Sequence, residues 1–386
     1  MNKHHNIIIA GAGGIAQAVG LILVEWSKVT PTLFIGNRTL SNAEDMAQWI
    51  LKGTDKPCAI QTFELSDAIL SPEVETILKQ GDILLDCLPG SLAPCMASYA
   101  KTYHLHYANL TEYVDETQQI IDFAKDAKTG FILQTGLAPG YINVLAHKLF
   151  QEFCLEFRVT KVESLKFRVG ALTKHATPPH YYGFTWSPVG VATEYIKDAV
   201  VIRKYQRKNL PSLSESATLI INGVTYEEDL TSGGVSDLPD ALAGKVGTLD
   251  YKTLRYPGHY TWVKDQLKNI ESKMDTIEKL QSKMEKHIPH TEDDQVILYA
   301  TVEGRDKTGR LHKREVAKQI FPQLVGKHLL RAIQITTAVP LIQSAQLLLE
   351  SNLKGVILQS KIDPKTFLAG NYITAVYGDT DTLVKK

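Results

Sequence analysis

The 386-residue chain is poor in cysteine: Cys58, Cys87, Cys95 and Cys154 are its four, and they show no metal-ligand spacing and no disulfide framework. Cys87 and Cys95 bracket "CLPGSLAPC", too far apart for a redox CxxC pair. Such usage fits a reducing, cytoplasmic compartment. The 12 histidines come without an HExxH motif, so no metal is expected. An excess of charge of either sign is also missing. Lys plus Arg and Asp plus Glu each total 42, leaving no overall field to draw the chain to DNA, RNA or an anionic membrane. The local basic run "RKYQRK" at Arg203–Lys208 reads as a solvated hairpin rim and not a nucleic-acid patch. Internal repeats and low-complexity segments are absent as well.

Long apolar runs are scarce, with one exception. "NIIIAGAGGIAQAVGLILVEW" (Asn6–Trp26) has Gln17 as its only clearly polar side chain between Ile7 and Val24. By length this is a candidate membrane span or secretory leader. Glycine argues otherwise, because Gly11, Gly13, Gly14 and Gly20 interrupt the run where a span needs continuous helix. Ile7, Ile8 and Ile9 suit a buried parallel strand. Gly11 to Ala16 then matches G-x-G-x-x-(G/A), where Gly11 permits a tight turn and Gly13 lets backbone N–H groups approach a pyrophosphate. A helix from Gly14 to about Ser27 would point its positive dipole end at the phosphates. Gly11, Gly13, Gly14 and Ile15 are therefore expected cofactor contacts, and no membrane is expected.

A second strand, "TLFIG" (Thr32–Gly36), ends in Asn37, Arg38 and Thr39, with no acid before Glu44. NAD-preferring sites place an acid here for the ribose 2′-hydroxyl. Arg38 instead suits a 2′-phosphate or the adenine face. The expected cofactor is NADP, with NAD possible, and Asn37, Arg38 and Thr39 are expected to hold its ribose end. Further strands read at Cys58–Leu65, Asp82–Leu88, Leu105–Leu110 and Gly130–Thr135. Helices lie between them at Asn42–Leu51, Glu73–Lys79, Leu92–Thr102 and Tyr113–Lys128. This alternation predicts an α/β fold: an N-terminal Rossmann doubly wound parallel sheet over 1–145. Ligands bind beyond the carboxyl ends of such strands, which nominates Cys87, Leu88 and Pro89, then Leu110, then Gly136 and Leu137 as cofactor contacts. Pro139-Gly140 reads as the turn that starts the next helix.

Beyond Leu145 the pattern changes. Val162–Leu172 reads as a strand, "ATLIINGVTY" as a hairpin turning at Asn222-Gly223, and Gln295–Glu303 with Arg310–Val316 as another. A second, α+β domain for substrate and dimerisation is expected over 146–325. Ile270, Met274, Ile277, Leu280 and Met284 form an apolar stripe at helical spacing, for core or dimer packing. Gly326–Ser351 reads as a long helix kinked near Pro340, within a segment, 326–386, that returns to the first domain.

The strand-end segments resemble the saccharopine dehydrogenase-like family. "DCLPG" (Asp86–Gly90), "GLAPGYIN" (Gly136–Asn143), "YYGFTWSPVGVATEY" (Tyr181–Tyr195), "TLRYPGH" (Thr253–His259) and "QITTAVP" (Gln334–Pro340) match its segments in order over nearly the whole chain. The resemblance implies an oxidoreductase working on the carbon–nitrogen bond of an amino acid-derived amine or imine, as saccharopine reductase, carboxynorspermidine dehydrogenase and lysine 6-dehydrogenase relatives do. It implies a small-molecule amino-acid substrate and a homodimer. The chain departs from the pattern at Ala108-Asn109-Leu110-Thr111, where many members carry an acid. The charged insertion after Leu267 has no evident counterpart.

Reducing an imine requires a hydride to carbon and a proton to nitrogen. Arg255 is the candidate carboxylate clamp, and Glu112, His259 and Tyr256 are the candidate proton carriers. Trp186, Tyr182, Ser187, Thr336 and Thr337 complete the expected substrate contacts. Other readings stay open: a lysine 6-dehydrogenase-type oxidative deaminase using NAD, a non-catalytic NADP sensor motivated by Asn109, and a methyltransferase-type nucleotide fold.

Overall fold

The computed structural model describes residues 1–66, 70–270 and 275–378. The apolar opening stretch divides at its glycines. Asn6–Ala10 is strand β1, and Gly14–Trp26 is helix α1, at 13 residues about 20 Å long and too short to span a bilayer. Alternation then continues through β2 (Thr32–Asn37), α2 (Leu40–Gly53), β3 (Ala59–Glu64), α3 (Pro72–Gln80), β4 (Ile83–Asp86), α4 (Ala93–Thr102), β5 (His106–Asn109), α5 (Val114–Ala124) and β6 (Gly130–Ile132). Helix α6 (Tyr141–Phe157) follows the turn at Gly140, whose φ of +133° carries the chain round against Gly136.

Two compact units result. The first comprises Met1–Tyr141, Gln323–Leu330 and the described chain from Gln334 to Gly378. Its β1 to β6 lie in the order β6-β5-β4-β1-β2-β3, every neighbour parallel. The order reverses between β1 and β4, the switch point where doubly wound sheets bind ligands. Ile7, Ile8, Ile9, Leu84 and Leu85 are fully buried, as strands covered on both faces require.

The second unit comprises Ile142–Pro322 and Arg331–Ile333. It contains β7 (Val162–Thr173), α7 (Pro188–Ile196), β8 (Ala199–Arg203), β9 (Gln206–Leu210), β10 (Ala217–Ile221), β11 (Val224–Leu230), α8 (Leu238–Leu242), β12 (Val246–Arg255), α9 (His259–Lys268), α10 (Thr276–His287), β13 (Asp294–Arg305) and β14 (Leu311–Ile320). The mixed sheet runs β10-β11-β12-β7-β13-β14, with β8 pairing β12 and β9. Asn222 and Gly223 both take positive φ, as the expected hairpin turn demands. "RKYQRK" is the tip of the β8–β9 hairpin. Leu280 and Met284 of the apolar stripe are buried against Tyr182, Phe184, Tyr195 and Val263, with Ile270 and Ile277 packed beside them, so the stripe is core. Met274 lies outside the described residues.

The C-terminal helix starts later than its sequence suggests. Residues 326–330 form instead a hairpin of β15 (Gln323–Val325) and β16 (His328–Leu330), and α11 runs over Ala332–Glu350 with Pro340 inside. Gly326 at φ +54° serves that hairpin turn. Among the described helices α11 alone is long and apolar enough to cross a bilayer, and 78% of its most apolar window is buried within the fold, the pattern of a core helix. Strand β17 (Gly355–Ile357), whose sequence carries little signal, adds a seventh parallel strand beside β6. Two short helices, α12 (Pro364–Leu368) and α13 (Asn371–Tyr377), follow it.

Candidate active site

In the first unit the loops beyond β1, β2, β4, β5 and β6 meet one edge of the sheet. Gly11 takes φ +109° and donates its N–H to the Gly36 carbonyl at 2.8 Å. A side chain there would press on the Cys87 carbonyl, 3.0 Å from where its Cβ would stand, so only glycine lets β1 and the β4 loop approach at the switch point. Gly13 caps α1 with no side-chain hydrogen bond, and nothing lies within 4 Å of its missing Cβ. Gly14 and Ile15 follow in the first turn, which holds no acid. The open N–H groups and the dipole of α1 form a cradle for phosphate. Ala16 is buried beneath it, keeping helix and strand close.

At the end of β2 the Asn37 side chain accepts the Thr39 N–H at 3.0 Å, a local turn that holds Arg38 outward. Arg38 is exposed and has no ion-pair partner among the described residues. Thr39 opens α2 without capping it through its side chain. This guanidinium, beside the N-terminus of a 14-residue helix, suits an anionic group.

Beyond β4 an acid controls the loop. Asp86 is buried, accepts the Tyr107 hydroxyl at 2.7 Å and the Leu88 N–H at 3.0 Å, and so sets the turn that carries Cys87, Leu88 and Pro89. Burial raises its carboxyl to about 6, against the pull of those two donors. Asn109 donates to the Tyr107 hydroxyl at 3.3 Å and accepts the Gln134 N–H at 2.8 Å, tying β5 to the segment after β6. The Asn109 amide therefore ties these loops together. Asp86 and Tyr107 escaped sequence reasoning, although an acid closing the apolar run "ILLD" was a usable signal. Leu110 lies 3.4 Å and Thr337 3.5 Å from the position a Gly136 side chain would take, so these three come together, with buried Leu137 adjoining. Thr336 differs from expectation: it is fully buried, and its carbonyl accepts the Tyr377 hydroxyl at 2.5 Å, because it faces α13. Glu112 is half-buried in the loop after β5, whose Thr111 and Tyr113 pack over Gly90.

The second unit gathers a different chemistry around Arg255. This side chain is 1% exposed. Its Nε donates to the Tyr195 hydroxyl at 2.8 Å, its Nη1 to the Leu254 carbonyl at 3.0 Å, and its carbon Cζ lies 4.6 Å from the Tyr182 ring centre. No carboxylate pairs with it among the described residues; Glu194 acts on it only from farther away. A buried cation without a counter-ion is costly, and an anionic substrate would supply one.

His259 is fully buried at the start of α9. Its Nδ1 bonds the His180 carbonyl at 2.7 Å, which fixes the proton there. Nε2 then accepts the Tyr195 hydroxyl at 3.0 Å. Burial and the charge of Arg255 push the imidazole down to about 3. Both nitrogens are engaged, so the neutral ring holds Tyr195 and through it Arg255; this geometry does not suit the expected proton carrier. Tyr256 is displaced for another reason. Successive residues of a strand point to opposite faces, so it leaves Arg255 and packs with Leu172, Tyr226 and Leu254, its hydroxyl accepting from Gln295 at 2.7 Å. Ser187 is the N-cap of α7, accepting the Gly190 N–H at 3.4 Å, a structural duty. The Trp186 ring covers Gly190, and Tyr182 lies under Arg255. Glu112, Thr336 and Thr337 belong to the first unit, and the residues around Arg255 to the second.

Residues 7–133 match the family model described as the saccharopine dehydrogenase NADP binding domain, and residues 136–370 match the saccharopine dehydrogenase C-terminal domain. The chain belongs to the saccharopine dehydrogenase family. It is thus a member of a family of NADP-binding oxidoreductases, and its first unit is the family's dinucleotide-binding fold. A stretch of 212 residues, 49% of this chain, is 32% identical to alpha-aminoadipic semialdehyde synthase of Arabidopsis thaliana, spanning 19% of that protein. Solved structures share the fold. Saccharopine dehydrogenase (L-Glu forming) from Saccharomyces cerevisiae superposes with a TM-score of 0.72 at 15% identity, over 97% of this chain and 98% of that one. Homospermidine synthase from Legionella pneumophila, solved in complex with NAD, gives 0.68 at 12% identity, over 98% and 91%.

Proposed function

We propose that this saccharopine dehydrogenase-family chain is an NADP-dependent oxidoreductase acting on the C–N bond of an amino acid-derived, carboxylate-bearing amine or imine. The observation that carries this reading is the buried guanidinium of Arg255, which pairs with no carboxylate among the described residues, in a protein whose other unit matches an NADP-binding domain. When bound, the cofactor supplies or accepts the hydride. The chain's own groups divide the remaining work. The α1 N-terminus and Gly13 hold the diphosphate, Arg38 and Thr39 the ribose phosphate, and the Asp86-fixed turn at Leu88 lines the cofactor. Arg255 holds a substrate carboxylate. Glu112, half-buried in the loop beyond β5 at the ligand-binding edge of the sheet, is assigned the proton. Cytoplasmic residence and a homodimer formed through the second unit's sheet belong to the same proposal; light scattering of the purified chain at twice the monomer mass supports the dimer.

The direct experiment supplies NADPH with amino acids and carbonyl partners together, in pairs including lysine with 2-oxoglutarate and glutamate with an aldehyde. NADPH consumption that requires both members supports the reading. Lysine-dependent reduction of NAD with no carbonyl partner selects oxidative deamination instead. Tight NADPH binding without turnover across the panel selects the sensor. That alternative loses its main motive, because Asn109 is accounted for by its bonds to Tyr107 and Gln134.

Cofactor choice has its own test. Arg38→Ala should weaken NADPH binding about 10- to 100-fold, the value of charge-assisted bonds to a phosphate. NADH binding should change by no more than about twofold, since only the 2′-phosphate is lost from the contact. Fluorescence titration of both reduced nucleotides decides it. Equal losses for the two would mean that Arg38 serves some other part of the cofactor.

A further inference from the structure

Asp86, the last residue of β4, is 2% exposed and makes no ion pair among the described residues. Its partners are two neutral donors, the Leu88 N–H at 3.0 Å and the Tyr107 hydroxyl at 2.7 Å. That hydroxyl has one hydrogen but two acceptors within reach, Asp86 Oδ2 and the Ala93 carbonyl at 3.2 Å, while its oxygen receives the Asn109 amide at 3.3 Å. Two complete bonding patterns follow. An ionised Asp86 takes the hydroxyl hydrogen. A protonated Asp86 donates to the hydroxyl oxygen, whose own hydrogen turns to Ala93. Leu88 keeps its acceptor in both, so the carboxylate can gain a proton inside the fold without leaving a neighbour unpaired. The titratable groups facing it are Tyr107 of β5 and the adjoining Cys87, and burial pushes the phenol and the thiol upward, which keeps both neutral. Burial also raises the Asp86 carboxyl to about 6, so within this cluster Asp86 is the group that changes charge near neutrality.

The strand order decides which half of a dinucleotide lies over this carboxylate. Such cofactors lie across the switch point, one half to each side. The diphosphate is assigned to the α1 N-terminus and the 2′-phosphate to Arg38 beyond β2, on one side of β1. The nicotinamide half is left for the loops on the other side, where β4 is the strand that pairs with β1. An oxidised nicotinamide ring carries a positive charge that the reduced ring lacks. A buried carboxylate beneath this half acts unequally on the two forms, and little water stands ready to screen it.

We propose that Asp86 is a specificity-determining residue for the redox form of the cofactor, its ionised carboxylate favouring oxidised NADP over NADPH and its protonated form relaxing that preference. This deepens the proposed function and rests on its assignment of NADP to the first unit. Tyr107 is a positioning residue here, because its two-way hydroxyl accommodates both forms of the acid.

Calorimetric titration of the full chain with oxidised NADP and with NADPH, in steps from about pH 5.5 to about pH 8.5, reads the ratio of the two dissociation constants. The diphosphate and 2′-phosphate are common to both forms, so their own titration cancels in that ratio. In the parent the preference for oxidised NADP should grow about 5-fold from the lowest to the highest pH. Asp86→Asn keeps an acceptor for Leu88 and imitates the protonated pattern, so its ratio should stay at the parent's acid-side value throughout. Tyr107→Phe removes a bond to the ionised form, which raises the Asp86 carboxyl and should move the change to higher pH. A role confined to holding the Leu88 turn would weaken both forms equally in Asp86→Asn and leave the parent's ratio at every pH, which would overturn the proposal. A parent ratio that does not move with pH, or a Tyr107→Phe midpoint that stays put, would overturn it too, with NADP binding still in place. Absence of saturable binding by either form would instead overturn the cofactor assignment, and this proposal with it.

Discussion

Arg255→Met should lower kcat/KM for a carboxylate-bearing substrate by about 100- to 1000-fold, roughly 3–4 kcal/mol of lost binding. The loss should fall mainly on KM, because the guanidinium holds a group remote from the bond that reacts. Methionine keeps most of the volume and removes a buried cation that has no carboxylate partner among the described residues. Replacing a poorly compensated buried charge by an apolar side chain is neutral or stabilising. Tyr195 keeps a role after the change, since it still donates to His259. The variant should therefore melt no lower than the parent while binding substrate far more weakly. A variant with unchanged KM would place the substrate carboxylate elsewhere. A variant that unfolds would make Arg255 a structural residue whose partner is the protein itself, and the stacking on Tyr182 would then be its whole purpose.

The same residues show where sequence stops being informative. The cofactor half was legible because its chemistry is local. The tight turn at Gly11, the open N-terminus of α1 and the acid-free end of β2 are all encoded within the first 39 residues. Strands of the first sheet were legible for a similar reason, being short apolar runs punctuated by turns. The substrate half depends on contacts distant in sequence: Arg255 meets Tyr195 across 60 positions, and His259 meets His180 across 79. No spacing rule reveals these. Tyr256 shows the opposite failure, because adjacency to Arg255 suggested a shared site, whereas strand alternation sends the two side chains to opposite faces. Glu112 occupies a middle position. Its loop was found correctly from the alternation of strands and helices, but its role depends on a substrate pose.

Arg168→Leu should cost about 3–5 kcal/mol, the effect expected when one member of a buried ionic network is removed and the others are stranded. Arg168 is 3% exposed on β7 and reaches two neighbouring strands. Its Nε lies 2.5 Å from Glu228 of β11, its Nη2 2.7 Å from Asp250 of β12, and its Nη1 donates to the Asp250 carbonyl at 2.9 Å. Arg203 holds the other oxygen of Asp250 at 2.9 Å, and Lys252 stands 3.4 Å from Glu228. Although desolvation opposes ionisation of Asp250, the guanidinium groups of Arg168 and Arg203 hold its carboxyl below the ordinary value of 3.8. Stability from this carboxylate is therefore complete above that ordinary value and disappears as pH falls through the lower, folded one. The acid-side loss should shrink in Arg168→Leu, because part of what depresses Asp250 has gone. Chemical denaturation followed in the second unit's transition, at neutral pH and near pH 3, measures both effects. A further change of Glu228 and Asp250 to leucine should not restore the parent's stability, because it strands the buried Lys252 and leaves Arg203 with Glu215 alone. An Arg168→Leu protein within about 1 kcal/mol of the parent at neutral pH would mean that Arg203 and Lys252 already neutralise the two acids, leaving Arg168 redundant.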